Sequence, residues 1–327
     1  MAHPVLKLVG NALLIAVVSG ETVLAQSNQL TEAEALSAIT VATNPSTKIA
    51  AAEVFVARFP NSPSRLKAAE LVAAEILKVR NGSVAITLVE RAQAIFTADE
   101  EREIFKPVAL EAYATGNRPD DAFKLAAELL AKNPDNLDVL VQMTRAGAEE
   151  VKKRNRQHAD GALQYALKAI ALIESGKKPP KLTDEVWDGY KASLGQIYQD
   201  TAILYVAKDD IAEAKVRLAK ATTLRPNDPA NFALLGRVLN ADYLKQMADY
   251  EKLPEGKPKQ ERLRQLDLLL DPIIDSYAHA VGLALGRPEF QSLMQQVVPD
   301  LTNYYKYRNR DSTKGLQELI NKYKLAH

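Results

Sequence analysis

Side chains able to carry chemistry are few and scattered along this chain of 327 residues. Cysteine is absent, which removes thiolate metal sites, disulfides and a cysteine nucleophile. Of the four histidines, His3 and His327 lie at the chain ends, leaving His158 and His279, each alone in its segment. No G-x-x-x-x-G-K-[ST], G-x-S-x-G or H-E-x-x-H pattern occurs, so neither a phosphate-binding loop, a nucleophile elbow nor a zinc-protease helix is expected. The acidic runs Asp99-Glu100-Glu101 and Asp209-Asp210 fall where helices should begin. There they offset the positive end of the helix dipole. A retaining glycosidase would need two carboxyls about 5–5.5 Å apart, and the sequence sets no second acid opposite Glu111. The reading is no catalytic residue, no cofactor site and no metal site.

Two basic stretches suggest other chemistry. Lys152-Lys153-Arg154-Asn155-Arg156 reads as the end of a helix entering an insertion, where cations complement the C-terminal carbonyls. Tyr304-Tyr305-Lys306-Tyr307-Arg308-Asn309-Arg310 mixes aromatic and basic residues as single-strand binders do. Helical spacing gives it a plainer role. Leu293/Met294, Val297/Val298, Leu301 and Tyr304/Tyr305 form one stripe, so two tyrosines read as packing. With a net charge of only +1, no nucleic-acid partner is expected.

These residues need elements to position them, and the elements read as helix after helix. Apolar residues are 47% of the chain, enough for a core, while aromatics are 6% and Gly and Pro are sparse, which argues against sandwiches and barrels. Thr31-Glu-Ala-Glu34 has the form of a capping box. Prolines recur along the chain, among them Pro45, Pro107, Pro119, Pro134, Pro226/Pro229, Pro272 and Pro299, and read as punctuation between helices. Between them apolar residues return at three and four positions, as in Ala122, Leu125, Ala126, Leu129 and Leu130. About fourteen helices and no sheet are expected. Leu253-Pro-Glu-Gly-Lys-Pro-Lys259 is expected as an exposed loop between helices at 229–251 and 260–285. Gly282-x3-Gly286 lacks the long apolar setting of a membrane dimerisation motif.

The amino terminus reads as an export signal. Lys7 precedes the apolar run Leu8–Val18, and Val23-Leu24-Ala25 before Gln26 fits cleavage after Ala25. The run is too short to span a bilayer. The expectation is a periplasmic or secreted protein with no permanent membrane anchor once residues 1–25 are removed.

Internal spacing carries the fold. Tyr198-x2-Thr201-Ala202-x2-Tyr205-x8-Ala214-x3-Leu218-x2-Ala221-x4-Pro226 resembles the tetratricopeptide repeat (TPR). Phe232-x2-Leu235-Gly236-x2-Leu239 opens a following unit. Ala109-Leu110-x2-Tyr113-x8-Ala122-x3-Ala126-x2-Leu129-x4-Pro134 forms an earlier one, and Leu140, Met143, Gly161-Ala162, Ala166 and Ala169 another. Phe55-x3-Phe59-Pro60-Asn61-Ser62-Pro63 is similar to repeat ends in exported bacterial members of the family. The resemblance implies an all-α fold, a right-handed α-solenoid of antiparallel helix pairs. Its parts would be an N-terminal helical segment at 26–44, repeats with insertions over 45–285, and capping helices over 286–327.

What the resemblance implies for function is a non-enzymatic scaffold or adaptor. Its concave face, lined by the first helix of each pair, would take a protein or peptide, a second copy of the chain included. By register the groove positions are Glu111, Arg145, Gln196, Gln199, Arg237 and Asn240. Two arginines could hold a partner carboxylate. The clamp that some members use for a C-terminal carboxylate is not matched, since Ile203 occupies that position. The alternative is a carbohydrate-processing enzyme or small-ligand binder on an α-solenoid.

Overall fold

A computed structural model describes residues 30–180 and 182–325. The expected export signal therefore lies outside the described residues. Among the described residues there are fourteen α-helices and no strand. They are α1 (Glu32–Val41), α2 (Pro45–Arg58), α3 (Arg65–Ile76), α4 (Gly82–Ile95), α5 (Asp99–Thr115), α6 (Pro119–Lys132) and α7 (Leu137–Lys152). The second half holds α8 (Ala159–Glu174), α9 (Asp184–Ala207), α10 (Ile211–Leu224), α11 (Pro229–Glu251), α12 (Lys257–Ala284), α13 (Gln291–Arg308) and α14 (Leu316–Asn321). Each helix from α1 to α12 packs on the next, several pack also on the next but one, as α3 does on α5 and α7 on α9, and α14 packs on α12. This is an α-solenoid. Pairing begins with α1 on α2, one helix earlier than the repeat spacing implied.

Local sequence explains where helices start. Thr31 and Glu34 make the capping box, each side chain reaching the other's backbone N–H. Asn44, Asn81, Asn136, Thr183, Asp210 and Asp228 cap six more helices with a side-chain oxygen. Pro45, Pro119 and Pro229 open helices as expected.

Pro107, Pro272 and Pro299 do not punctuate: they sit inside α5, α12 and α13. All three rings are exposed, and so are Glu103, Leu268 and Gln295, whose carbonyls lose their helical donor. Because these residues are exposed, water can reach the freed carbonyls and the helix continues. The 253–259 loop is also shorter than expected, because α12 begins at Lys257 with Pro258 in its first turn.

The core is strung along the chain rather than gathered at one centre. One apolar cluster joins α1–α5 around Ile39, Phe55, Val89 and Phe105. Others follow through Met143 and Leu204, Trp187 and Ile197, Leu218 and Val238, and finally Leu270 and Tyr277. Small residues permit the close approaches. A Cβ on Gly147 would lie 2.2 Å from that of Ala162, and one on Gly236 would lie 2.4 Å from the buried ring of Tyr277. Gly282 does the same for α14, its would-be Cβ meeting the Ile320 carbonyl oxygen at 2.5 Å. Between helices, Arg65 on α3 grips the buried carboxylate of Glu101 on α5 through two bonds of 2.5 and 2.9 Å. The Arg65 guanidinium holds Glu101 below the usual carboxylate range. Glu101 thus ties two helices together, a larger role than easing a helix dipole.

Four of the seven turns that leave an odd-numbered helix, those after α5, α7, α9 and α13, share one geometry. Asn117, Arg154, Asp209 and Arg310 all have positive φ, at 63°, 69°, 59° and 53°. Behind each, the next N–H reaches back to the helix: Arg118 to Tyr113, Asn155 to Glu150, Asp210 to Tyr205 and Asp311 to Lys306. That is the Schellman closure, for which glycine or asparagine is the comfortable residue. Arginine is strained there. Arg154→Gly is expected to raise stability by about 0.5–1 kcal/mol, read as a higher urea midpoint with an unchanged slope.

Candidate functional site

The register positions lie on the odd-numbered helices, and polar bridges run from each such helix to the next. Gln142 on α7 donates to Glu111 on α5 at 2.7 Å. Tyr190 on α9 donates to Asp138 on α7. Gln199 on α9 donates to Asn231 on α11 at 2.7 Å. Arg237 on α11 donates to Gln296 on α13 at 2.6 Å, and Tyr304 of α13 donates to Asn240.

The six residues therefore have different surroundings. Glu111 and Arg145 are exposed. Arg145 follows Gln142 by three positions and so shares its side of α7. Gln196 and Gln199 come together, the Gln196 amide donating to Gln199 at 2.7 Å, but Gln199 is buried. Arg237 and Asn240 are brought to α13 rather than to the other four.

At the middle of this face lies Asp200, which sequence reasoning missed. It is only 3% exposed. One of its oxygens accepts from Gln196 at 3.0 Å, and Arg145, Glu149 and Lys152 of α7 supply the neighbouring charges. Desolvation dominates and pushes its carboxyl up to about 6. Gln196 in turn accepts from Arg225, and Asn231 donates to the carbonyls of Ala221 and Arg225 at 3.2 and 3.4 Å. Arg225, Gln196, Gln199 and Asn231 thus form a closed ring of hydrogen bonds, with Asp200 on its rim. The ring fixes the α10–α11 turn against α9. A signal was present: Gln199-Asp200-Thr201 is a polar run inside an otherwise apolar helical stretch.

Gln142, Arg145, Glu149 and Lys152 form one stripe along α7, offering donors and acceptors of both charges. Elsewhere a cleft of about 680 Å³ opens between α4, α5 and α6, lined by Arg102, Lys106, Tyr113, Lys124 and Glu128. It lies on the side of α5 away from Glu111. Among the described residues no group of three His, Asp or Glu side chains could hold a metal ion, and no helix is long and apolar enough to cross a membrane.

The two lone histidines are packed in aromatic stacks. His158 lies on Phe123 with ring centroids 4.2 Å apart and contacts Asp120 at 2.7 Å. His279 is sandwiched between Phe232 and Tyr323, and burial lowers its pKa. No protein-family model matches the chain, and no curated protein matches it.

Proposed function

We propose that the protein is a non-enzymatic scaffold of the tetratricopeptide type, exported to the cell envelope, that binds a protein or peptide along its odd-numbered helices. One observation carries this reading: α5, α7 and α9 pack in succession, and Glu111 of α5 and Arg145, Glu149 and Lys152 of α7 are exposed on them. The bridges between helices hold that surface in a fixed shape, so little order is lost when a partner docks. An extended segment with both carboxylates and amides would find complementary groups on it.

Export rests on Lys7, the Leu8–Val18 run and the small residues before Gln26. Protein isolated from its host envelope and beginning at Gln26 supports it; a cytoplasmic chain retaining Met1 counts against it.

The binding surface is tested by placing a photo-crosslinking residue at position 145 and, separately, at position 124. A partner joined only through 145 supports the reading, and Arg145→Glu should then weaken binding about ten-fold or more. Crosslinks through 124 alone would move the interface to the α4–α6 cleft.

Asp200 favours a second reading, an enzyme on the same scaffold. A buried carboxyl whose pKa lies near 6 beside the carboxylate of Glu149 is the kind of group that transfers protons. Hydrolysis of an oligosaccharide that Asp200→Asn abolishes would establish that reading in place of the scaffold.

A further inference from the structure

Alternation of the helices gathers every turn from an odd to an even helix at one edge of the array. That edge has a recurring composition. Val41 ends α1, Leu77 follows α3, Leu253 follows α11 and Tyr307 is the penultimate residue of α13. These side chains are exposed by 71%, 52%, 36% and 61%. The position recurs at four of the seven odd-to-even turns; those after α5, α7 and α9 expose no large apolar side chain.

Cations accompany them. Arg80, Arg154, Arg156, Lys257, Arg310 and Lys314 are exposed on the turns of this edge, and none forms an ion pair among the described residues. The acids of the edge are largely spoken for. Asp121 pairs with Arg118, Glu150 with Lys153, Asp160 with Lys208, Asp249 with Lys252 and Glu255 with Lys259. Exposed Glu251 and Asp311 on the same turns are also unpaired, so against the six free cations a smaller surplus of positive charge remains. Two of the cations, Arg154 and Arg310, sit at left-handed positions where arginine is strained. The opposite edge also exposes Leu66, Val186 and Leu224 and the unpaired cations Arg58 and Lys177, but there the unpaired acids Asp99, Glu100 and Glu185 offset them.

We propose that the odd-to-even turns dock the protein peripherally on an anionic phospholipid surface. Apolar tips enter the headgroup boundary while arginines and lysines remain at the level of the phosphates. Each turn alone is weak. Several turns held at fixed spacing by rigid helices act together, because the first contact raises the local concentration of the rest. The interleaving of apolar and cationic groups favours a lipid surface over an acidic protein or a nucleic acid, which would use the charge and leave Val41, Leu77 and Leu253 in water. This inference is independent of the partner-binding reading, since the turns lie at the helix ends and not along the α5–α9 face.

Vesicle co-sedimentation tests it. The full chain carries Leu14→Asp and Val17→Asp, so that its N-terminal apolar run cannot insert. Vesicles are phosphatidylcholine alone or phosphatidylcholine with phosphatidylglycerol. Sedimentation with the anionic vesicles only, weakening as NaCl is raised, is the expected result. Replacing Arg80, Arg154, Arg156 and Arg310 by Ser should lower partitioning about five-fold per cation, hence more than a hundred-fold in all. Leu77→Ser with Leu253→Ser and Tyr307→Ser should remove the salt-resistant remainder, while Arg58→Ser with Lys177→Ser on the opposite edge leaves binding nearly unchanged. Circular dichroism confirms that each variant keeps its helices. Equal sedimentation with both vesicle types, none with either, or a four-arginine variant that binds like its parent overturns the proposal. So does an acidic protein bound through this edge without any affinity for vesicles.

Discussion

Gly82→Ala should lower the stability of the protein by about 3 kcal/mol, near the top of the range for overpacking. Gly82 opens α4 where it crosses the end of α5. A Cβ there would lie 2.3 Å from the Gly116 nitrogen, 2.4 Å from the Thr115 carbonyl carbon and 2.6 Å from the Gly116 Cα. All three obstacles are backbone, so no rotamer change can relieve the clash; the two helices must separate. Gly189→Ala provides the reference. It lies within α9, where an added Cβ meets nothing within 4 Å, and should gain up to about 1 kcal/mol from helix propensity. Urea unfolding of the two variants measures the difference. A Gly82→Ala protein as stable as its parent would mean that α4 and α5 do not cross there.

Asp200→Asn should have the opposite sign, stabilising the protein by about 3 kcal/mol at pH 7–8. In the folded chain the carboxyl keeps its proton up to about pH 6, against an ordinary value of 3.8. Folding therefore binds a proton between those values, and stability is lost as pH rises through about 6. Asparagine has nearly the same shape, can still accept from Gln196, and never ionises. The gain should shrink on acidification and vanish below pH 4, where the aspartate is protonated whether folded or not. Urea midpoints of both proteins at pH 4 and pH 8 check this. A pH-independent difference would place the effect in packing instead of charge.

How much of this was legible beforehand varied with how local the cause was. The capping box at Thr31–Glu34 and the prolines at 45, 119 and 229 act within one helical turn, and they mark real helix starts. Pro107, Pro272 and Pro299 look the same in sequence but lie inside helices. Their tolerance depends on which side of the helix faces solvent, a property of the packed molecule. Apolar periodicity sufficed for an all-helical chain, and the repeat-like spacing for a solenoid, since each pair needs only its neighbours.

The face was less accessible. Register placed Gln196 and Gln199 on α9, but not the Gln199 bond to Asn231, which lies 32 positions further on. Asp200 stayed hidden because a carboxylate invites a solvent-facing assignment, and only packing between helices buries it. Arg65 and Glu101 are 36 positions apart, and nothing local couples them.

Five apolar clusters in succession along the chain have a mechanical consequence. Where all buried surface meets at one centre, tension applied at the two ends is carried by the whole, which yields at once. Here it passes through the clusters as through links in series. The weakest yields first, and the others keep their shape. Loss of one helix pair lengthens the molecule without destroying it, and the pair can re-form on the template of its neighbours when tension falls. A fold strung out along its helices in this way is thereby a compliant element.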